Sequence, residues 1–181
     1  MAPTPTLRSY DSRSVVDLID ALVGLYAEVY AEPPYLEGPD EVRAFRTRFA
    51  EHRRAPAFRL VAMFAADRLI GYLYGFRIDA DSERWATLLA RTTGDRSDAP
   101  LRRPTAFVAE LLVRADWRRQ GVARRLHDTF LAEREEHQAI LLAHPEAIAA
   151  QAAYAAWGWQ KVGYGTPFPG APEYETLLRF G

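Results

Sequence analysis

Arg118-Arg119-Gln120-Gly121-Val122-Ala123 is a short basic turn between two unlike runs. Before it, Ala106-Phe-Val-Ala-Glu-Leu-Leu-Val113 is apolar and reads as a strand. After it, Val122, Leu126 and Phe130 fall on one face of a helix. A strand, a glycine-containing turn and a helix make a place to hold phosphate. The first N–H groups of the helix have no partner within it, and the helix dipole adds partial positive charge there. Gly121 lets a ligand come close to the backbone, and Arg118 and Arg119 offer forked donors to phosphate oxygens.

Outward from the turn, the chain reads as β-α-α-β-β-β-α-β-α-β-β. Leu7–Tyr10 forms a short edge strand. Ser14 reads as the N-cap of a helix whose apolar face includes Leu22, Tyr26 and Val29. Pro33-Pro34 ends it, and Pro39-Asp40-Glu41 opens a second helix with Phe45 and Phe49 on one face. Phe58–Phe64 and Leu69–Ile78 form a hairpin. Thr105–Val113 follows as a strand covered on both faces. Ala139–Ala143 is a short buried strand, and Glu146–Trp157 an alanine-rich helix stopped by Gly158. Gln160–Tyr164 and Tyr174–Phe180 close the chain as strands around a Pro/Gly loop. The pattern predicts an α/β fold with a mixed sheet and helices on both sides, in a single domain over residues 1–181. Residues 1–6 are expected to be a flexible tail. The polar stretch 79–104, with a short helical piece around Trp85, Leu88 and Leu89, is long enough to be a functional loop.

Composition narrows the class of function. The chain has 181 residues, 49% hydrophobic and 26% charged, with a formal net charge of -1, as expected of a globular protein that does not attract polyanions overall. Nucleic-acid binding is therefore not expected. With no cysteine there is no disulfide or thiolate nucleophile, and a reducing cytoplasm is the expected setting. The first residues lack the pattern of a signal peptide, and no apolar run reaches the roughly 18 residues of a membrane helix. The four histidines show no metal-ligand spacing, so no metal is expected. Gly-x-x-x-x-Gly-Lys-Ser/Thr, Gly-x-Gly-x-x-Gly and Gly-x-Ser-x-Gly motifs are absent, which speaks against kinase, dinucleotide and serine-hydrolase chemistry.

Arg118-x-x-Gly121-x-Ala123, placed after the strand Phe107–Val113 and before Tyr154-Ala-Ala-Trp-Gly158-Trp159-Gln-Lys-Val162-Gly163, resembles the GNAT superfamily, the GCN5-related N-acetyltransferases. The family's turn is Arg/Gln-x-x-Gly-x-Gly/Ala. Its late segment is Tyr-x-x-x-Gly-Phe-x-x-x-Gly, with Trp159 here in the aromatic position. The likeness covers most of residues 8–180. It implies a central, mostly antiparallel sheet of six to seven strands, acetyl-CoA as cosubstrate and a homodimer as the expected assembly. One departure is the segment His144-Pro145-Glu146-Ala147, where many members carry an Asn.

The resemblance also assigns roles. The turn residues Arg118, Arg119, Gln120, Gly121, Val122, Ala123 and Arg124 would anchor the pyrophosphate. Backbone N–H groups of Leu111, Leu112 and Val113, at a bulge in the fourth strand, would meet the pantetheine arm and the thioester carbonyl. An alkyl amine with a pKa of ~10.4 must lose a proton before it attacks, and Glu110 is the first candidate for the base. The leaving thiolate takes a proton, and Tyr154 matches the family's general acid. Transfer would then be direct. The acceptor would be a small-molecule amine meeting Tyr30, Tyr35 and Glu37, with residues 79–104 as a lid and Thr166–Pro172 as a wall. Glu110 could instead be a carboxylate paired with an arginine, and Tyr154 a packing tyrosine. Two further functions stay open. One is an acyl-CoA sensor or carrier without catalysis. The other is an acetyltransferase acting on protein lysine or aminoacyl-tRNA.

Overall fold

The computed structural model describes residues 4–79, 103–166 and 172–181. Its elements follow the expected order. They are β1 (Thr6–Tyr10), α1 (Ile19–Tyr30), α2 (Pro39–His52), β2 (Arg59–Ala65), β3 (Arg68–Ile78), β4 (Thr105–Val113), α3 (Val122–Ala132), β5 (Gln138–Ala143), α4 (Ile148–Ala156), β6 (Gln160–Gly165) and β7 (Tyr174–Phe180). The seven strands are ordered β1-β2-β3-β4-β5-β7-β6. β1–β2, β2–β3, β5–β7 and β6–β7 are antiparallel, and β4–β5 is parallel. This is the mostly antiparallel mixed sheet that the sequence predicts. The expected helical piece near Trp85 lies outside the described residues, as do 80–102 and 167–171 of the two expected loops. By packing, the chain divides into two compact units, Met1–Phe76 with Ala109–Arg134, and Arg77–Val108 with Glu135–Gly181.

In the first unit, β2 and β3 are buried almost throughout, which explains their unbroken apolar sequences. Ala65 faces Arg68 across a two-residue turn, and Ala66 adopts φ 51° to close it. One residue further in, Phe64 faces Leu69 but Met63 faces Gly71, so Ile70 is an extra residue on β3. The Ile70 carbonyl accepts the Arg114 N–H at 2.9 Å. A side chain at Gly71 has no room, because its Cβ would sit 2.9 Å from the Leu112 carbonyl oxygen and 3.2 Å from both Leu126 and Val113. Gly71→Ala is therefore expected to destabilise the fold by about 1–3 kcal/mol through overpacking against backbone, read as a lower urea midpoint.

An aromatic layer fills this unit. Phe45 stacks on Tyr26 with centroids 3.8 Å apart, and Phe49 meets Tyr74 edge-on at 5.0 Å. Two tyrosine hydroxyls in the layer find polar partners. Tyr74 bonds His52 Nδ1 at 3.1 Å, and Tyr72 donates to the Leu22 carbonyl at 3.3 Å.

The start of α1 departs from expectation. Ser14 caps no helix. Its N–H and hydroxyl both donate to the Asp11 carboxylate, at 2.8 and 2.9 Å, and the Arg13 N–H does so at 2.9 Å. These donors hold the Asp11 pKa down at about 2. Asp11 thus collects the turn that Ser14 was expected to cap, and a 3-10 turn over Val16–Leu18 leads into α1. Gly38 precedes α2, where the Glu41 carboxylate accepts its N–H at 2.8 Å.

In the second unit, β7 lies between β5 and β6. Ala106–Val108 pair in parallel with Ala139–Leu141. The buried Gln138 amide donates to Thr105 Oγ1 at 2.6 Å, satisfying both groups beneath the pairing. α4 begins at Ile148, two residues later than its sequence suggests. His144 holds the preceding turn, accepting the Glu146 N–H on Nδ1 at 3.1 Å and the Ala147 N–H on its carbonyl at 3.0 Å.

Candidate active site

Glu110 lies where the burial of β4 changes. Thr105–Val108 and Leu112–Val113 are buried, whereas Ala109, Glu110 and Leu111 are half-buried. Tyr26 and Tyr30, four residues apart, share a face of α1. Phe45 and Arg48, three apart, share a face of α2. These helices bring their polar tips to Glu110. The Tyr30 hydroxyl donates to Glu110 Oε2 at 2.6 Å, and Arg48 Nη2 lies 3.4 Å from Oε1. The Glu110 side chain is 10% exposed. Beside it, Tyr26 donates to Glu37 Oε2 at 2.6 Å, and the same Arg48 Nη2 lies 3.4 Å from the Tyr26 hydroxyl. Tyr35 packs edge-on against Tyr30 at 4.5 Å. So Tyr30, Tyr35, Glu37 and Glu110, expected to serve amine and proton, gather in the first unit.

The electrostatics suit proton acceptance. Burial pushes the Glu110 pKa above the ordinary carboxylate value, and Arg48 and the Tyr30 hydrogen bond oppose that rise without cancelling it. Glu37 is raised for the same first reason, with Tyr26 and Arg48 opposing. Burial also drives both tyrosine hydroxyls upward, so they remain protonated donors. A buried carboxylate with a raised pKa is a stronger base than one on the surface.

The sequence reading missed Tyr26, taken as an apolar helix position, and Arg48. A signal for Arg48 existed. It sits three residues after Phe45 and next to Phe49 on an otherwise buried stripe, and its guanidinium lies 5.6 Å from the Phe45 ring.

The basic turn has the expected strand–turn–helix setting. Gly121 precedes α3 at φ 77° and ψ 0°, and Arg119 also takes a positive φ of 57°. The helical ladder starts with the Arg125 N–H donating to the Gly121 carbonyl at 3.0 Å, so the N–H groups of Gly121, Val122, Ala123 and Arg124 precede it. A Cβ at Gly121 would meet nothing within 4 Å, so what demands glycine is the left-handed backbone. Gly121→Ala is expected to cost about 1–2 kcal/mol of stability, read by urea denaturation, and to weaken phosphate-ligand binding through the distorted turn.

The arginines are engaged with the protein itself. Arg118 donates from Nε to the Val113 carbonyl at 3.0 Å and from Nη1 to Glu32 at 2.6 Å. Arg114, one step earlier, bonds the Leu69 carbonyl at 2.8 Å and pairs with Glu28. Arg124 pairs with Asp128 at 2.6 Å, and Gln120 donates to the Asp116 carbonyl at 2.8 Å. Leu112 and Val113 are buried side chains, so only their backbone could serve a ligand.

Tyr154 belongs to the second unit, near the end of α4. The Trp159 N–H donates to the Tyr154 carbonyl at 3.0 Å and the Gly158 N–H to the Ala155 carbonyl at 3.2 Å. With Gly158 at φ 86°, this is a Schellman stop. The Trp159 and Tyr154 rings meet edge-on at 6.0 Å, and Trp157 meets Tyr154 at 5.8 Å. The spacing Tyr-x-x-x-Gly-aromatic therefore has a local structural cause, which also fixes the tyrosine ring.

Among the described residues, no group of three His, Cys, Asp or Glu side chains gathers to hold a metal, and no helix is long and apolar enough to cross a membrane. A family model described as the acetyltransferase (GNAT) family matches residues 21–159. No curated protein matches the sequence. Solved structures do resemble the fold. A GNAT-family acetyltransferase from Staphylococcus aureus Mu50 is 11% identical, with TM-score 0.68 and coverage of 98% of this chain and 99% of that one. The PaiA N-acetyltransferase of Thermoplasma acidophilum, in complex with coenzyme A, is 9% identical, with TM-score 0.65 and coverage of 98% and 99%. The ribosomal-protein-S18-alanine N-acetyltransferase of Escherichia coli is 13% identical, with TM-score 0.62 and coverage of 97% and 91%.

Proposed function

The chain belongs to the GNAT acetyltransferase family and is an acyltransferase, and from that premise we propose that it moves an acetyl group from acetyl-CoA directly to the primary amine of a small molecule. The observation that carries this reading is Glu110, a buried carboxylate aimed by Tyr30 at 2.6 Å and flanked by Arg48 and a second carboxylate, Glu37. In the proposal the chain works as one catalytic domain in the cytoplasm, as a homodimer.

The turn suits a CoA-type phosphate. It offers backbone N–H groups of Gly121–Arg124 ahead of the α3 ladder, with open space over Gly121. Arg119, exposed at the turn, adds charge, and Arg118 holds the turn to Val113. Bound acetyl-CoA supplies an acyl group already activated as a thioester. Glu110 takes the proton from the incoming ammonium, breaking one N–H bond and forming one carboxyl O–H, so that the neutral amine can attack. Backbone N–H groups of Leu111–Val113 polarise the carbonyl as the C–N bond forms; the C–S bond then breaks while Tyr154 gives the leaving sulfur its proton and recovers one from the acetylated nitrogen.

The test is incubation of the protein with acetyl-CoA and a panel of amines, following release of free thiol. The panel holds simple alkylamines, diamines, amino acids, an aminoglycoside and a peptide with a free N-terminus. Release with one small amine well above background is expected. Release only with the peptide would overturn the small-molecule reading. Thermal stabilisation by acetyl-CoA with no release on any acceptor would favour a binding module.

A further inference from the structure

The groups that bear on Glu110 come from four places. Tyr26 and Tyr30 come from α1, Arg48 from α2, Tyr72 from β3, whose Tyr74 bears on Arg48, and Glu37 from the connection between the two helices. Arg48 is the cation of this set. Its Nη2 reaches Glu110 directly at 3.4 Å, and reaches Glu37 through one hydroxyl, that of Tyr26, 3.4 Å away on the arginine side and 2.6 Å on the Glu37 side. Its side chain is 23% exposed and lies over the Phe45 ring.

We propose that Arg48 is a positioning residue for the transfer: it holds Glu110 as an aimed carboxylate and ties it, through Tyr26, to Glu37, so that the two carboxylates act as one acceptor pocket. This rests on the reading of Glu110 as the base.

Burial among tyrosines favours the neutral form of Glu110, and a neutral carboxyl cannot take a proton from an ammonium. A guanidinium opposes that loss, being charged at every working pH and weakly hydrated enough to sit half-buried. The long 3.4 Å contact matters as well. A tight bidentate bridge would stabilise the carboxylate further and remove its basicity. At this distance the charge is felt while Oε2 is aimed by Tyr30. Charge balance follows. Glu37, Glu110 and Arg48 together carry one net negative charge, which an arriving ammonium neutralises. After the proton moves to Glu110, the Arg48 and Glu37 charges still balance each other. The pocket is thus matched to a nitrogen that arrives charged and reacts neutral. An acceptor with a second cationic group would leave an excess charge in it.

The experiment uses the full chain and three variants, Arg48→Lys, Arg48→Met and Glu37→Gln, with Glu110→Gln to identify the Glu110 signal. The Glu110 carboxyl is titrated by carbon-13 NMR in ligand-free protein, and kcat/KM is followed against pH. In Arg48→Met, the Glu110 midpoint and the acid limb of kcat/KM are expected to rise together by about 1–3 pH units. Arg48→Lys should restore most of that shift, and Glu37→Gln should move the midpoint downward. A folded Arg48→Met, checked by circular dichroism, with an unmoved midpoint would overturn the proposal. So would an activity loss equal at every pH with no change in the limb. Should Arg48→Met not fold, Arg48→Gln, which also removes the charge, takes its place, and an unmoved midpoint there or in Glu37→Gln overturns the coupling. If Glu110→Gln keeps full activity, the base reading fails by itself, while the NMR midpoints still decide whether Arg48 governs Glu110.

Discussion

Glu110→Gln is expected to lower kcat/KM for the preferred amine by about 10²–10⁴-fold, the usual range for a lost general base. Gln keeps the shape of the side chain and can still accept the 2.6 Å hydrogen bond from Tyr30, so packing should survive. Lost is the site that takes the proton. The pH profile provides a second reading. The Glu110 pKa is raised by burial, so the acid limb of kcat/KM in the unaltered enzyme should lie above the ordinary carboxylate value of ~4.3. Activity should fall as pH drops through that limb. Stability moves the other way. Between the unfolded carboxylate pKa and the raised folded one, the native state binds more protons than the unfolded state. Stability contributed at this position therefore declines as pH rises through that window. Urea denaturation of wild type and Glu110→Gln across pH 4–8 should show a steeper decline in the wild type, because the variant keeps only the part that comes from Glu37, whose pKa is also raised by burial. If the variant retains wild-type kcat/KM, Glu110 is a structural partner of Arg48 and the proposed mechanism loses its base.

Tyr154→Phe is expected to lower kcat by about 10²-fold, toward the small end of general-acid effects. The leaving thiol has a pKa of ~8.5, so near neutral pH its thiolate departs without a large need for a proton. Stability should change by no more than the hydroxyl's own contribution, because the ring keeps its edge-on contacts with Trp157 and Trp159 and the helix stop uses the backbone carbonyls of Tyr154 and Ala155. Tyr154→Ala, by contrast, removes both ring and hydroxyl and should lose stability as well as rate. Full activity in the Phe variant, with loss only in the Ala variant, would make Tyr154 a packing residue. Stopped-flow measurement of thiol release, alongside thermal melts, separates these outcomes.

How much of this was readable in advance depends on how local the cause is. β4 runs from Thr105 to Val113, as its continuous apolar run predicts, and the basic turn lies between that strand and α3 as predicted, with Gly121 taking a positive φ there. Gly158 stops α4 through bonds that reach back no further than Tyr154. In each case the determining contacts lie within a few residues of chain. Ser14 shows where local reading fails, since Asp11 takes the Ser14 N–H and hydroxyl along with the Arg13 N–H, and the Val16 N–H that an N-cap at Ser14 would hold goes to the Arg13 carbonyl. The carboxylate cluster is a different kind of feature. Glu110 meets Tyr30 across 80 residues and Arg48 across 62. Periodicity told that Tyr26, Phe45 and Phe49 face inward, and residue type made Glu110 a candidate base. By itself, then, the sequence determined the strand–turn–helix cradle, the helix stop at Gly158 and the family. The tertiary structure alone decided that Arg48 stands between Glu110 and Glu37, because a helical period selects a face while the packing of two helices on a strand selects the partner.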